Sequence, residues 1–382
     1  MRVLQFGRFW NDEHGGVERH ASLLCKGLAS RGVEVVNLVS TLPGRQATDQ
    51  VVKDGYRLIQ AKSYGFVVST AMAPSLPWKA LQLHHQRPFD IFHFHLPDPL
   101  THLASALLPR SVPRVITWHS DIIKQKRLLS IYLPLLRREI VRADALVSGT
   151  EAHFTSSTQI PADVPANKKH VIPYGLDYEP LELNAYTSKL RENLRQRGGG
   201  RPILFALGRH VYYKGFDVLI KAMQNVNALL YLGGMGPLAE QHKAQAATLG
   251  LGDRIVFCGR IAEVDLPAYF HACDLFCLPS VEQSEAFGLV QLEAMACGKP
   301  VIASQLNNGV NVVNLDGVTG AAVPPLNAMA LADTINKLLD DSTLRLQLGR
   351  QARRRALDCY SLDSMTLQTL QLYRSLMSDR GG

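Results

Sequence analysis

The segment SEAFGLVQLEAMACGKPVIAS, residues 284–304, concentrates much of the chemistry available to this 382-residue chain. It reads as loop, helix, cap and strand. Glu285 precedes the helix, Phe287-Gly288-Leu289 opens it, Glu293 lies within it, and Gly298 caps it before Pro300 starts a strand. A glycine at a helix N-terminus lets a phosphate or sugar approach free backbone N–H groups, and the helix dipole favours the anion. Glu285 and Glu293 are eight residues apart, about 80° from eclipsed on one helix. The two carboxylates can therefore flank one ligand only if Glu285 sits in the loop.

A second constellation is LGRHVYYKG, 207–215, directly after the apolar run ILFALG. Arg209 and Lys214 fall in a loop at the carboxyl end of a strand, where open α/β sheets bind ligands. A guanidinium fork and a mobile ammonium together suit a diphosphate. No Asp-x-Asp occurs in the chain, so a divalent metal has no obvious carboxylate cradle. Two cations and a helix N-terminus can stabilise a departing diphosphate in its place.

Other motifs carry less. GGMGPLAE, 233–240, satisfies a loose dinucleotide fingerprint, but the next strand ends in Gly259-Arg260 and lacks the acid that would hold a ribose. HGGVERH, 14–20, repeats the loop-to-helix device, with Gly15-Gly16 allowing close backbone approach or simply a tight turn. TWHSD, 117–121, puts His119 just beyond a strand end, facing a cleft rather than a core. His93-x-His95 alternates on one strand face and suggests a metal; no third ligand stands nearby in the sequence, so strand filling or cleft polarity is the better reading.

These residues need elements to position them. VLQF (3–6), VEVVNLV (33–39), IFHFH (91–95), RVITWH (114–119) and ALVSG (145–149) read as buried strands, with a helix over about 17–30. The alternation breaks near IPYGLD, 172–177. The stretch LELNAYTSKLRENLRQRGGG reads as a connector, and the pattern restarts with ILFALG, ALLYLGG, IVFCG, LFCLPS and PVIAS. Continuous apolar strands alternating with helices imply parallel sheets covered on both faces. The expected fold class is α/β, with two Rossmann-like domains at 1–178 and 179–360. A terminal helix is expected over 361–382, from apolar residues at helical spacing (Leu362, Met365, Leu370, Leu372, Tyr373, Leu376).

Composition narrows the function classes. The apolar fraction of 46% and charged fraction of 19% are those of a globular protein, which excludes disorder and collagen-like structure for the whole chain. No run approaches the roughly 18 apolar residues of a membrane span. MRVLQFGRFW has no apolar signal-peptide region. The six scattered cysteines are expected as free thiols in a reducing cytoplasm. The net charge of +8 favours anionic partners. The surplus peaks over 121–142, where Lys124, Lys126, Arg127, Arg137, Arg138 and Arg142 face only Asp121 and Glu139. Interleaved leucines and isoleucines make this run either a solvated face or a basic amphipathic surface for anionic lipid. No aromatic-basic module for nucleic acid is present.

Together, the Gly15-Gly16 loop, TWHSD, IPYGLD, LGRHVYYKG, GGMGP, FCGRI and SEAFGLVQLE resemble the retaining family 4 glycosyltransferases of the GT-B fold, over essentially the whole chain. The wording of 284–304 is similar to bacterial enzymes that build O-antigen, capsule or exopolysaccharide, some of them mannosyl- or rhamnosyltransferases. The resemblance implies two Rossmann-like domains facing across a cleft, with no metal and no cofactor. It implies that Arg209 and Lys214 clamp the donor diphosphate, with Gly16 approaching from the first domain. Glu285 would hold donor sugar hydroxyls, Phe287, Gly288 and Leu289 would offer backbone amides, Glu293 would bind the ribose, and Gly259, Arg260 and Ile261 would lie along the base. His119 would face the donor sugar, and Gly15, His119, Asp121 and Lys124 are expected on the acceptor side.

The implied reaction moves a hexose from a GDP- or UDP-sugar, with GDP-mannose or GDP-rhamnose preferred, to a lipid-linked saccharide on the cytoplasmic face of the inner membrane. The loop QLNNGVNVVN departs from the glycine-rich loop of many relatives and bears on donor identity. A nucleotide-sugar 2-epimerase and a non-catalytic nucleotide-sugar-binding scaffold remain as rivals.

Overall fold

The computed structural model describes residues 1–10, 15–67, 70–122 and 126–379. Its contacts divide the chain into two units, Met1–Gly175 with Leu362–Gly382, and Leu176–Ser361.

The first unit contains strands β1 (Arg2–Phe6), β2 (Glu34–Ser40), β3 (Thr48–Val51), β4 (Arg57–Ala61), β5 (Phe66–Val67), β6 (Thr70–Ala71), β7 (Ile91–Leu96), β8 (Arg114–Trp118), β9 (Ala145–Ser148) and β10 (Lys169–Val171). Eight of them form one sheet in the order β10-β9-β8-β7-β1-β2-β4-β3. All its pairings are parallel except β3 on β4, an antiparallel edge that the apolar runs did not announce. β3 is mostly exposed, so it lacks the hydrophobic signature of its neighbours. β1 is buried at all five positions because both sheet faces are covered. Leu4, Phe6, Phe92, Phe94, Ile116 and Trp118 fill one face, and Val3, Val35, Ile91 and Val115 fill the other. This alternation follows from the two-residue period of a strand.

The helices of this unit are α1 (Gly16–Ser30), α2 (Ser75–Gln86), α3 (Pro99–Leu107), α4 (Lys126–Arg142) and α5 (Glu151–Ser156). The final helix of the chain, Leu362–Ser378, also belongs here. Its Met365, Leu370, Leu372 and Tyr373 share a core with Leu24 and Leu28 of α1. The contact is close at Gly27, where a Cβ would lie 2.0 Å from Thr366 Oγ1.

The second unit holds β11 (Ile203–Leu207), β12 (Leu229–Gly233), β13 (Ile255–Gly259), β14 (Leu275–Leu278), β15 (Val301–Ser304) and β16 (Gly320–Val323). They form an all-parallel sheet in the order β13-β12-β11-β14-β15-β16. Its helices are α6 (Ala185–Arg197), α7 (Phe216–Ala222), α8 (Ala239–Thr248), α9 (Leu266–Ala272), α10 (Leu289–Ala296), α11 (Gly309–Val313), α12 (Ala328–Asp340) and α13 (Ser342–Cys359). The last helix of the chain is then α14 (Leu362–Ser378).

The expected connector is helix α6. Its start is closed by a reciprocal cap between Asn184 and Thr187, a device worth about 1 kcal/mol. Only Thr187 and Leu194 of this helix are buried. It therefore shows no apolar stripe, which is why periodicity missed it.

Leaving aside the antiparallel edge β3, the first sheet runs β4, β2, β1, then onward through β7 and β8. Numbered from β11, the second does the same. Each therefore has a topological switch point, β1 beside β7 and β11 beside β14, where loops diverge and a ligand crevice opens at the carboxyl ends. All six cysteines are free thiols. Among the described residues no helix is long and apolar enough to cross a membrane.

Candidate functional site

In the second unit the sequence-derived donor residues fall on the carboxyl ends of adjacent strands. Gly259 ends β13 and Arg260 and Ile261 follow it, the 234–238 loop follows β12, Arg209 and Lys214 follow β11, and Glu285 through Leu289 follow β14. The loops after β11 and β12 are sewn together: the His210 N–H donates to the Met235 carbonyl at 2.8 Å and the Leu238 N–H to the His210 carbonyl at 3.1 Å. The Gly234 N–H donates to the Gly259 carbonyl at 2.7 Å, which ties in the end of β13. Arg260 and Arg209 are exposed, and Ile261 is half-buried.

The centre of this rim is an ion pair. Lys214 Nζ contacts the Glu285 carboxylate. The Ser280 hydroxyl donates to the same carboxylate at 3.0 Å. Glu285 lies in the loop before α10, as its spacing from Glu293 required. Burial pulls the Lys214 ammonium down, but the Glu285 charge and hydrogen bond outweigh it, and the pKa is raised above its ordinary value. Lys214 thus stays charged. The Tyr213 hydroxyl is raised, first by burial; Lys214, Glu285 and Arg209 all act on it, which places the three charged groups around one ring.

The backbone holds the two loops in contact. The Val281 N–H donates to the Tyr213 carbonyl at 2.8 Å. Gly215 has φ +64°, and a Cβ there would meet the Pro279 carbonyl oxygen at 2.0 Å. No side chain fits this position, so the loop carrying Lys214 can approach that carrying Glu285.

Gly288 caps α10 in the left-handed region, and Phe287 beside it is buried. Leu289 starts the helix. Glu293 lies one turn on and is only 2% exposed. The segment 305–311, which runs from β15 into α11, packs onto this centre. Asn308 Nδ2 donates to the Glu285 carbonyl at 2.9 Å, while its Oδ1 accepts from the Val310 N–H at 3.0 Å. Asn311 Oδ1 accepts from the Leu306 and Asn307 N–H groups at 2.7 and 2.8 Å. The asparagines singled out as a departure thus brace the loop of Glu285.

The first unit presents a different switch point. Gly15 and Gly16 are exposed at the start of α1, with Gly15 at φ +141°. His119, after β8, is 5% exposed. Both of its ring nitrogens are engaged, Nε2 with His95 Nδ1 at 2.9 Å and Nδ1 with the Tyr174 hydroxyl at 3.1 Å. His20 of α1 packs on Tyr174, with ring centroids 4.3 Å apart.

Burial drives these imidazoles toward the neutral form. His20 is lowered to about 3, and His95 and His119 fall well below the ordinary value, first by desolvation and then by neighbouring histidines. The pair His93 and His95 shares one face, with rings stacked at 4.9 Å, yet has two fates. His93 bonds Tyr373 and Thr117 at 2.5 and 2.7 Å. His95 turns to His119.

Asp121, in the loop after β8, ties it to the segment after α5, accepting from the Ser157 hydroxyl at 2.5 Å and the Thr158 N–H at 2.8 Å. It is therefore a loop clamp in this structure. Lys124 lies outside the described residues.

Comparison with known proteins fits this geometry. Residues 14–180 match the profile of glycosyltransferase family 4, and residues 190–355 that of glycosyl transferases group 1. The chain is 33% identical to D-rhamnosyltransferase WbpZ of Pseudomonas aeruginosa, over 93% of this chain and 91% of that one. The chain belongs to glycosyltransferase family 4. It is also 29% identical to O-antigen chain mannosyltransferase C of Escherichia coli over the full length of both. Among solved structures, sucrose-phosphate synthase from Thermosynechococcus elongatus superposes with a TM-score of 0.82 over 99% of each chain at 22% identity. The two Rossmann-like domains are those of the GT-B fold.

The basic run of this glycosyltransferase is partly absorbed by its core. Leu136, Glu139 and Ile140 of α4 are buried. Arg114 pairs with Glu139 at 3.5 Å and so neutralises the helix's one acid from within. The outward stripe keeps Ile131, 74% exposed, and Leu135, 54% exposed, in line with Arg138 and Arg142. Arg137, Arg138 and Arg142 line an open groove of about 710 Å³ with Thr158 and Ile160.

Sequence reasoning missed Ser280, Tyr213, Tyr174 and His20 as site components. Ser280 follows the LFCLP run, a strand-end signal that was available. Tyr174 and His20 lie within the IPYGLD and HGGVERH motifs, but only packing across the fold brings their rings together.

Proposed function

We propose that the chain is a retaining hexosyltransferase that moves mannose or rhamnose from a GDP-sugar to a lipid-linked saccharide acceptor of bacterial surface polysaccharide. The observation that carries this is the Lys214–Glu285–Ser280 cluster at the switch point of the second unit, beside the N-terminus of α10. The names of the relatives supply the sugar class: one is a mannosyltransferase, the other a rhamnosyltransferase.

In this reading the diphosphate takes Lys214 and Arg209, and Glu285, released from Lys214, accepts hydrogen bonds from sugar hydroxyls. Gly16 meets the diphosphate, Glu293 the ribose, Gly259 to Ile261 the base, and His119 the sugar. The bond between the anomeric carbon and the diphosphate oxygen breaks with its electrons leaving on the diphosphate. The acceptor oxygen bonds to the same face of that carbon, and its proton passes to the departing diphosphate. The protein orients the reactants and stabilises the growing negative charge with cations and the α10 amides, without a metal or cofactor at the diphosphate. The exposed stripe Ile131, Leu135, Arg138 and Arg142 suits the anionic cytoplasmic face of a membrane, where such an acceptor resides.

Thermal melts with GDP- and UDP-sugars test the donor, because a ligand that binds the folded state raises Tm by mass action. A shift with GDP-mannose or GDP-rhamnose alone is expected. A shift with UDP-sugars alone replaces the donor and keeps the reaction. No shift with any of them favours a scaffold. Product analysis with and without acceptor separates transfer from 2-epimerisation, and the anomeric configuration of the product tests retention.

A further inference from the structure

Between Arg209 and Lys214 stands a histidine that the transfer reaction does not use. His210 is 1% exposed, and His242 of α8 is 2% exposed. Their Nδ1 atoms are 2.9 Å apart. We propose that this imidazole pair is a positioning device for the nucleotide-sugar: it fixes the loop of Arg209 and Lys214 to α8 and thereby sets the affinity for the donor diphosphate. The proposal rests on the assignment of that diphosphate to Arg209 and Lys214.

The backbone puts His210 at the centre of the contact between the loops after β11 and β12. Its N–H and its carbonyl are both spent on the neighbouring loop, at Met235 and Leu238. A Cβ at Gly236 would lie 2.5 Å from the His210 carbonyl oxygen, so a side chain there would push the two loops apart. The Val211 N–H donates to the Arg209 carbonyl at 2.8 Å, which makes a three-residue turn with His210 at its middle. The exposed Arg209 and the buried ring of His210 are thus neighbours on one turn. Whatever holds the ring also holds the backbone from which the guanidinium extends.

Helix α8 supplies the other half. Its buried residues are His242 and Ala246. Ala246 joins the apolar core, whereas His242 meets His210. Phe216 and Phe257 pack around the pair, with ring centroids 5.0 and 6.4 Å from that of His210. Two apolar side chains could fill such a place. A hydrogen bond between imidazoles is directional, so it also fixes the register of α8 against the loop, where apolar contacts can slide. The arrangement carries a cost that apolar packing would avoid. His210 Nε2 is buried with no partner, and an unpaired buried polar atom is destabilising.

One proton serves the contact. The ring that carries it on Nδ1 donates to the lone pair of the other, and a second proton would set N–H against N–H. Burial, His242 and Lys243 lower His210 to about 4, and burial lowers His242 against the pull of Asp217. The contact therefore persists at neutral pH.

The test uses the full chain. In the double variant His210→Leu, His242→Leu, both polar partners give way to apolar groups, an exchange that can be nearly neutral for stability. A parent-like urea midpoint is expected. GDP and UDP are titrated in turn by calorimetry, and the nucleotide that binds the parent should bind the double variant about 10-fold more weakly, the equivalent of one net hydrogen bond. His242→Asn, whose amide lies where Nδ1 lay, should restore parent-like affinity. His242→Gln, whose amide reaches the Nε2 position instead, should not, and it serves in place of the double variant should that one not fold. Amide hydrogen exchange on the nucleotide-free chain should show protection lost at residues 210 and 238 in the double variant and kept in His242→Asn. Parent-like protection or parent-like affinity in the double variant, or equal affinity in the Asn and Gln variants, would overturn the proposal. Arg209→Ala binding nucleotide as the parent does would instead sink the diphosphate assignment. Exchange is read without nucleotide and so tells the two failures apart.

Discussion

The two units share a strand order and a switch point, yet they fill it with opposite chemistry. In the second unit a charged pair, Lys214 and Glu285, sits where β11 and β14 diverge, with exposed Arg209 nearby. In the first, the corresponding position beside β1 and β7 holds neutral, buried rings: His20, His95, His119 and Tyr174. A parallel sheet determines where a crevice opens. Side chains decide whether the crevice meets a ligand with charge or with polarisable nitrogen.

Breaking the charged half should have the largest effect. Glu285→Gln removes the carboxylate from Lys214 and Ser280 and should lower kcat by about 100-fold or more, in the range of losing one oriented transition-state contact. Steady-state kinetics on a variant with parent-like circular dichroism measures this; near-parent turnover would remove Glu285 from the machinery. Lys214→Ala should chiefly weaken nucleotide binding, and calorimetry that finds unchanged affinity for GDP and UDP alike would refute the diphosphate clamp.

Gly215→Val probes the geometry beneath that charge. A β-branched side chain is strained at φ +64° and would collide with the Pro279 carbonyl. A loss of about 2–4 kcal/mol in urea unfolding is expected, in the upper range for a single substitution with a named backbone cause.

Acid should separate the two units. Above pH 6.5 the folded and unfolded chains both hold these imidazoles neutral, and they cost nothing. Below it the unfolded chain binds protons that the folded chain refuses, down to about pH 3 at His20 and His93 and about pH 4 at His153. Stability therefore falls as pH falls, by up to about 1.4 kcal/mol per pH unit for each such group. The second unit carries fewer lowered histidines, His210, His242 and His271. Amide hydrogen exchange at pH 7 and pH 5 should show protection lost first around β7 and β8. Equal loss around β11 and β12 would erase the contrast.

The smallest expected effect is none at all: on the proposed mechanism, in which cations and amides stabilise the diphosphate, transferase activity should persist in EDTA. Full loss restored by Mn²⁺ would show a metal in the donor site.

Much of the architecture was legible locally. Strands buried on both faces must be apolar throughout, so β1, β7, β8, β11 and β12 stood out as runs. Glycine and proline marked their ends. The charged candidate residues were legible for the same reason: they cluster in short loops after those runs, and Glu285 and Lys214 each belong to a segment of recognisable order. Elements without a continuous apolar signature escaped. β3 is an exposed edge, and α6 buries only two residues.

What only the tertiary structure decided is pairing across long separations. Lys214 meets Glu285 because β11 and β14 are neighbours in the sheet although 67 residues of chain separate Leu207 from Leu275. His20, His95 and His119 meet because α1 starts on the rim where β7 and β8 end. Residue type and local order are properties of the chain itself. Which side chains share a few ångströms depends on strand order, and strand order is set by the burial of whole faces, to which every segment contributes at once.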